Sequence, residues 1–146
     1  MEIYTIGFTK KGAAEFFDAL KKTGVRRLVD VRLHNTSHLA GFAKRDNLEY
    51  FLKTICGAEY VHLPELAPTD DILDGYKHKT LSWEEYETRF LALLAERKVE
   101  QAVDRRLFDD GPIVLLCGEP EADHCHRRLV AEYLQKKWGG VDIHHL

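Results

Sequence analysis

Residues 112–117 read PIVLLC, a nearly unbroken apolar run after a proline. A strand with one wet face alternates apolar and polar side chains, whereas a strand covered on both faces is apolar throughout. This stretch therefore predicts a central strand of a parallel sheet with helices above and below. Three similar runs precede it: EIYTIGF at 2–8, RRLVDVRL at 26–33 and EYVHLPEL at 59–66. The tail VDIHHL, 141–146, fits an edge strand. β-Branched and aromatic residues dominate these runs, as pleated, half-buried surfaces favour.

Helical patterns separate the strands. Ala13, Phe16, Phe17 and Leu20 recur at helical spacing, with Thr9 as the expected cap and Gly24 as the stop. DNLEYFLKTICG, 46–57, puts Leu48, Phe51, Leu52 and Ile55 on one face, with Asp46 and Glu49 as a cap-like pair and Gly57 at the end. Residues 67–80 read as a Pro, Asp and Gly rich loop. Ser82 and Glu85 form a capping-box pattern ahead of Trp83, Tyr86, Phe90, Leu93 and Leu94, and a further helical piece is expected over 99–108. Asp123 is the expected cap of the last helix. Alternation of this kind predicts residues 1–146 to be a single α/β domain. The expected architecture is a three-layer sandwich with a mostly parallel central sheet of about five strands, helices on both faces.

Composition excludes several classes. The chain has 146 residues, 45% hydrophobic and 31% charged, with net charge −3. That size supports a core without disulfides. No apolar run approaches the roughly 20 residues that cross a bilayer, and the expectation is a cytoplasmic protein with no membrane partner. Three cysteines are an odd number and too few for a secreted disulfide framework, so reduced thiols are expected. The net charge gives no general attraction to nucleic acid, so anion binding has to be local.

In parallel α/β sheets ligands collect outside the carboxyl ends of the strands. The polar residues there are Gly7 and Thr9, then Arg32, His34 and Ser37, then IVLLCGEPEADHCHRR, 113–128. With Asp123 as cap, Cys125 falls in the first helical turn, where free N–H groups and the dipole favour a thiolate. Its packing role is that of a small apolar residue one turn before Leu129. Cys117 ends a strand and reads more as a structural residue, within possible disulfide reach of Cys125. Glu119 pairs with Arg127 or acts as a general base. Asp30 and Arg32 share a strand face, giving a salt bridge or an arginine fork for phosphate or carboxylate. His34, His38 and His62 carry little weight singly. Zinc is weighed on Cys117, His124, Cys125, His126 and Glu119, but no zinc-knuckle spacing appears and consecutive ligands diverge on a helix, so no metal set is assigned. Phosphate-loop and dinucleotide glycine patterns are missing.

The elements YTIG, LVDVRLHNTS, LLCGE and CHRRLVAEYL together resemble the bacterial and archaeal family called Domain of Unknown Function 488, over nearly the whole chain. The resemblance implies motif positions at Asp30, Arg32, Ser37, Cys117, Glu119, Cys125, His126 and Arg127. Asn35 and Thr36 stand where many members have a proline. Two functional readings follow. The first is an enzyme in which Cys125 or Cys117 is the nucleophile and His126 or Glu119 moves protons. Arg32 and Arg127, with Ser37 and Asp30, then hold an anionic phosphate- or carboxylate-bearing substrate such as a nucleotide. The second is a non-catalytic nucleotide or nucleic-acid phosphate-binding module on the same helix terminus. Cys125 is expected to be the more reactive thiol.

Overall fold

The computed structural model describes residues 1–36, 40–119 and 122–146. The strands are β1 (Glu2–Gly7), β2 (Arg27–Asp30), β3 (Glu59–His62), β4 (Ile113–Cys117) and β5 (Asp142–His145). They pair in parallel throughout, in the order β3-β2-β4-β1-β5. β4 lies in the middle and is buried at every position, which is why its sequence does not alternate. β5 lies at the edge, with Ile143 alone of its residues partly buried.

Strand periodicity divides the core into two layers. Ile3, Val29, Val31, Ile113, Leu115 and Cys117 face α3 (Asp70–Lys77), α4 (Trp83–Arg97), α5 (Val99–Ala102), α6 (Arg106–Asp109) and α7 (His126–Trp138). Ile6, Leu28, Val114 and Leu116 face α1 (Ala13–Thr23) and α2 (Arg45–Phe51), which continues as a π-turn over Leu52–Cys56. The result is the expected three-layer sandwich.

Local signals were correct in part. Gly24 closes α1 with φ 65°, and Ser82 and Glu85 make the reciprocal capping box of α4. Four expectations are corrected. Thr9 does not cap α1; its N–H and hydroxyl both donate to Gly118 O, tying the loop after β1 to the loop after β4. Asp46 and Glu49 do not cap α2, whose N-cap position is Lys44. The stretch 67–80 is not all loop, because α3 occupies most of it. Gly75, which reads as a turn signal, sits inside that helix because a Cβ there would lie 2.7 Å from Leu81 Cδ1. Finally, Asp123 does not cap α7: Cys125 is its N-cap residue, in extended conformation (φ −137°, ψ 140°). No helix of the described residues is long and apolar enough to cross a membrane.

The connection after β1 leads past β4 to β2, and the connection after β4 leads past β1 to β5. The strand order therefore switches between β1 and β4, and the crevice outside their carboxyl ends is where such a fold places a ligand.

Candidate functional site

At that edge three side chains converge. Residues 113, 115 and 117 share a face, so the last of them, Cys117, points into the α4 and α7 layer. α7 begins there with Cys125 and His126. Cys125 is extended and His126 is the first helical residue, so the two side chains do not diverge as helical neighbours would. Both reach Cys117: the donor atoms of Cys117, Cys125 and His126 all lie within 4.8 Å of one another. All three residues are buried, at 7%, 2% and 5% exposure.

His126 is held in one tautomer by its second contact. Its Nε2 lies 2.7 Å from Val31 O, which can only accept, so Nε2 carries the hydrogen. In the neutral ring the Nδ1 lone pair is then left facing Cys117 Sγ at 3.3 Å. Val31 is itself fixed, since its N–H donates to Leu116 O at 3.1 Å, and Phe90 packs edge-on against the imidazole.

The two thiols are unequal. The neighbouring Cys125 thiol holds Cys117 below the ordinary thiol value against its burial; backbone N–H groups of Gly118 and Glu119 and the Arg127 guanidinium act in the same direction. Cys125 is pushed well above that value, first by its bond to Cys117 and then by burial. The surroundings lower the Cys117 thiol and raise that of Cys125, whereas the helix-terminus argument expects Cys125 to be the more reactive. The reason is positional. Cys125 stands at the N-cap beside Cys117, while Cys117 ends β4 next to the backbone N–H groups of Gly118 and Glu119.

The tyrosine at 86 belongs to the same surroundings. Its phenol is pushed upward by burial, then by Cys117, Cys125, Tyr76 and Glu119. Trp83 stacks on Tyr86 and Tyr76 packs across both at an angle, making an aromatic wall on this side, and His124 lies flat on Trp83 at 4.8 Å, apart from the donor cluster. Sequence periodicity marked Tyr86 only as an inward residue; nothing in its spacing signals the two thiols.

The remaining expected residues are brought to the same edge in other roles. Arg127 is wholly buried, with Nε donating to Thr5 Oγ1 at 3.3 Å and Nη1 donating to Glu119 O. Arg127 thus meets Glu119 through the backbone carbonyl, whereas the expected pairing was with the Glu119 carboxylate, and the Glu119 side chain is exposed. Gly7 makes this crossing possible, because a Cβ on it would lie 1.6 Å from Glu119 O and 2.9 Å from Arg127 Nη1.

Asp30 and Arg32 form the salt bridge, not an open fork. Arg32 Nε and Nη2 donate to Asp30 Oδ1 and Oδ2 at 2.9 and 2.8 Å, and the Arg32 N–H donates to Oδ1 at 3.1 Å. Tyr60 OH donates to Asp30 Oδ2 at 2.6 Å and accepts from Asn35 Nδ2 at 3.1 Å. His62 Nε2 donates to Arg32 O at 2.7 Å. Burial and the Asp30 carboxylate push the Tyr60 phenol upward. Arg32 lies over Phe8, a member of the α1 and α2 layer, so this network occupies the opposite face of the sheet from Cys117. Tyr60 and Thr5 were not singled out from the sequence, and Asn35 only as a departure from the family pattern; the β2–β3 register, unreadable without the fold, is what brings Tyr60 to Asp30. His34 pairs with Asp70 at the exposed surface. Ser37 and His38 lie outside the described residues.

A family model described as domain of unknown function DUF488 matches residues 12–134 of the 146. The chain belongs to the DUF488 family. Comparison with curated proteins and with solved structures returns no match. The matched segment of this DUF488 protein contains both edge networks, from Asp30 and Arg32 to Cys117, Cys125 and His126. It leaves out β1, β5 and with them Thr5 and Gly7, which hold Arg127 and the loop after β4 in place.

Proposed function

We propose that this DUF488 protein is an enzyme whose reactive atom is Cys117 Sγ, with His126 as its proton partner. The observation that carries this reading is the 3.3 Å approach of His126 Nδ1 to Cys117 Sγ, with the imidazole oriented by Val31 O. A nucleophile, a base and a group orienting the base are the parts that covalent catalysis needs. In the reaction the Cys117 thiol proton passes to Nδ1 and the sulfur electron pair forms a bond to an electrophilic carbon. The leaving group departs with its bonding electrons and takes the proton from the imidazolium. Cys125 lies within 4.8 Å of the sulfur that reacts and has a positioning role. Arg32 and Arg127 are given scaffold roles in this reading, since Asp30, Thr5 and Glu119 O already accept from them. Three free cysteines suit a reducing compartment, and the cytoplasm is the proposed location.

The test is site-resolved labelling of metal-free protein with iodoacetamide at one fixed pH, read by mass spectrometry. Cys56, half-buried and with its thiol pushed up by burial, is the internal reference. Cys117 is expected to label faster than Cys56, and His126→Asn to slow it by roughly tenfold or more. Labelling of Cys117 no faster than Cys56 removes the nucleophile and leaves the non-catalytic binding module as the better reading.

A further inference from the structure

We infer that Cys117, Cys125 and His126 also form a binding site for one soft divalent cation of the Zn²⁺ type, and that the bound cation silences Cys117. The inhibitory half rests on the reading of Cys117 as nucleophile; the binding half stands on the donors themselves. Two sulfurs and an imidazole nitrogen are the ligand set that Zn²⁺ selects over harder cations.

The geometry is close to what the ion requires. With Zn–S near 2.3 Å and Zn–N near 2.0–2.1 Å, tetrahedral ligand atoms stand roughly 3.6–3.8 Å from one another. Cys117 Sγ and His126 Nδ1 are 3.3 Å apart, and no donor pair exceeds 4.8 Å. Closure around an ion therefore needs side-chain shifts of about 1 Å or less, within what rotation about χ1 supplies. The donors come from the end of a central strand and the start of a packed helix, so the site is largely formed before metal arrives.

The second observation is the orientation of His126. In protein metal sites the ring nitrogen away from the ion donates to a carbonyl or carboxylate, which fixes the tautomer and raises ligand basicity. Val31 O does this for Nε2 at 2.7 Å, leaving Nδ1 as the ligand. Charge supports the same conclusion: two thiolates and one divalent cation sum to zero, so the filled site is neutral in a buried place where a net charge is costly. Three protein donors leave a fourth position for water or an anion. The exposed Glu119 carboxylate and the Trp83-stacked His124 are not among the three donors. Once the Cys117 sulfur pair is donated to the metal, it is no longer available for attack on carbon.

The experiment uses the full chain freed of metal with a chelator and titrated with Co²⁺, then Zn²⁺. Co²⁺ is expected to bind one per chain with a thiolate-to-metal charge-transfer band and the visible spectrum of a tetrahedral site, and Zn²⁺ to displace it. Cys125→Ser and His126→Ala should each weaken Co²⁺ binding by roughly tenfold or more. The wild-type band needs no variant and so remains decisive should a variant fail to fold. Zn²⁺ should also block iodoacetamide at Cys117, with chelator restoring it. No stoichiometric thiolate band in wild type overturns the metal site, and so does a band that survives in Cys117→Ser/Cys125→Ser. An absent band with fast Cys117 labelling in metal-free protein removes the metal site and keeps the enzyme reading. A band with metal-free labelling no faster than Cys56 keeps the metal site and removes the nucleophile together with its silencing.

Discussion

The carboxyl edge of the sheet carries two buried polar clusters, one on each face, and their bonding differs. On the α1 and α2 side, Asp30 accepts from the Arg32 N–H, Nε and Nη2 and from Tyr60 OH, so both of its oxygens are satisfied and its charge is matched. On the α4 and α7 side, Cys117, Cys125 and His126 face one another with a lone pair on Nδ1 and polarizable sulfur, donors that their mutual contacts do not saturate. A closed ion pair holds a loop in place; a cluster with open valence is equipped to bind or react. The two are joined through one residue. Val31 lies between Asp30 and Arg32 in the chain, and its carbonyl orients His126. The closed cluster thus anchors the acceptor on which the open one depends.

The largest effect is expected at Gly7, which bears on how rigidly the open side is held. In Gly7→Ala the new methyl meets the Glu119 backbone carbonyl, which cannot swing away as a side-chain end would. The loop after β4 must then shift and Arg127 loses its Glu119 acceptor. Loss of more than about 4 kcal/mol is expected in urea unfolding. A variant within about 1 kcal/mol of wild type, a typical mild substitution, would show that the crossing of the two loops is soft.

Asp30→Ala tests the join between the clusters. It leaves Arg32, 7% exposed, without its counterion, and breaking one partner of a buried pair costs about 3–5 kcal/mol. Because Val31 is held between the two, labelling of Cys117 in the folded protein should also slow. Unchanged labelling beside the full stability loss would show the two faces to be independent.

The smallest effect is a pH dependence at β5. His145 is pushed below its ordinary value, first by burial and then by the Arg127 charge. Its Nδ1 lies 2.6 Å from Thr5 Oγ1, a hydroxyl that also accepts from Arg127 Nε. Below about pH 6.5 the unfolded chain takes up a proton that the folded chain still refuses. Stability should therefore fall slightly as pH drops from 7.5 to 5.5, and less so in His145→Gln, as read from Tm. Equal slopes in the two proteins would show that folding leaves His145 unperturbed.

Much of the fold was legible because it depends on local pattern. The apolar run PIVLLC has one comfortable place, a strand covered on both faces, and β4 occupies it. Ser82 and Glu85 satisfy each other three residues apart, so their box needed no knowledge of the rest of the chain. α3 was hidden because Gly75 counts as a breaker locally, while the neighbour that requires it, Leu81, is visible only in three dimensions.

The site divides in the same way. The sequence by itself determined which residues reach the carboxyl edge of the sheet, because parallel strands carry the ends of β1, β2 and β4 to one side. It could not determine what those residues meet. Whether Asp30 and Cys117 share a face depends on how separate strands align, and whether Cys125 lies in a helix or before it depends on where α7 starts. Tertiary structure decided that Arg32 and Arg127 are held by the protein's own acceptors and that Cys117, Cys125 and His126 converge. The physical reason is range: capping and periodicity act within a few residues, whereas a buried charge or lone pair takes its partner from whatever the packed fold brings near.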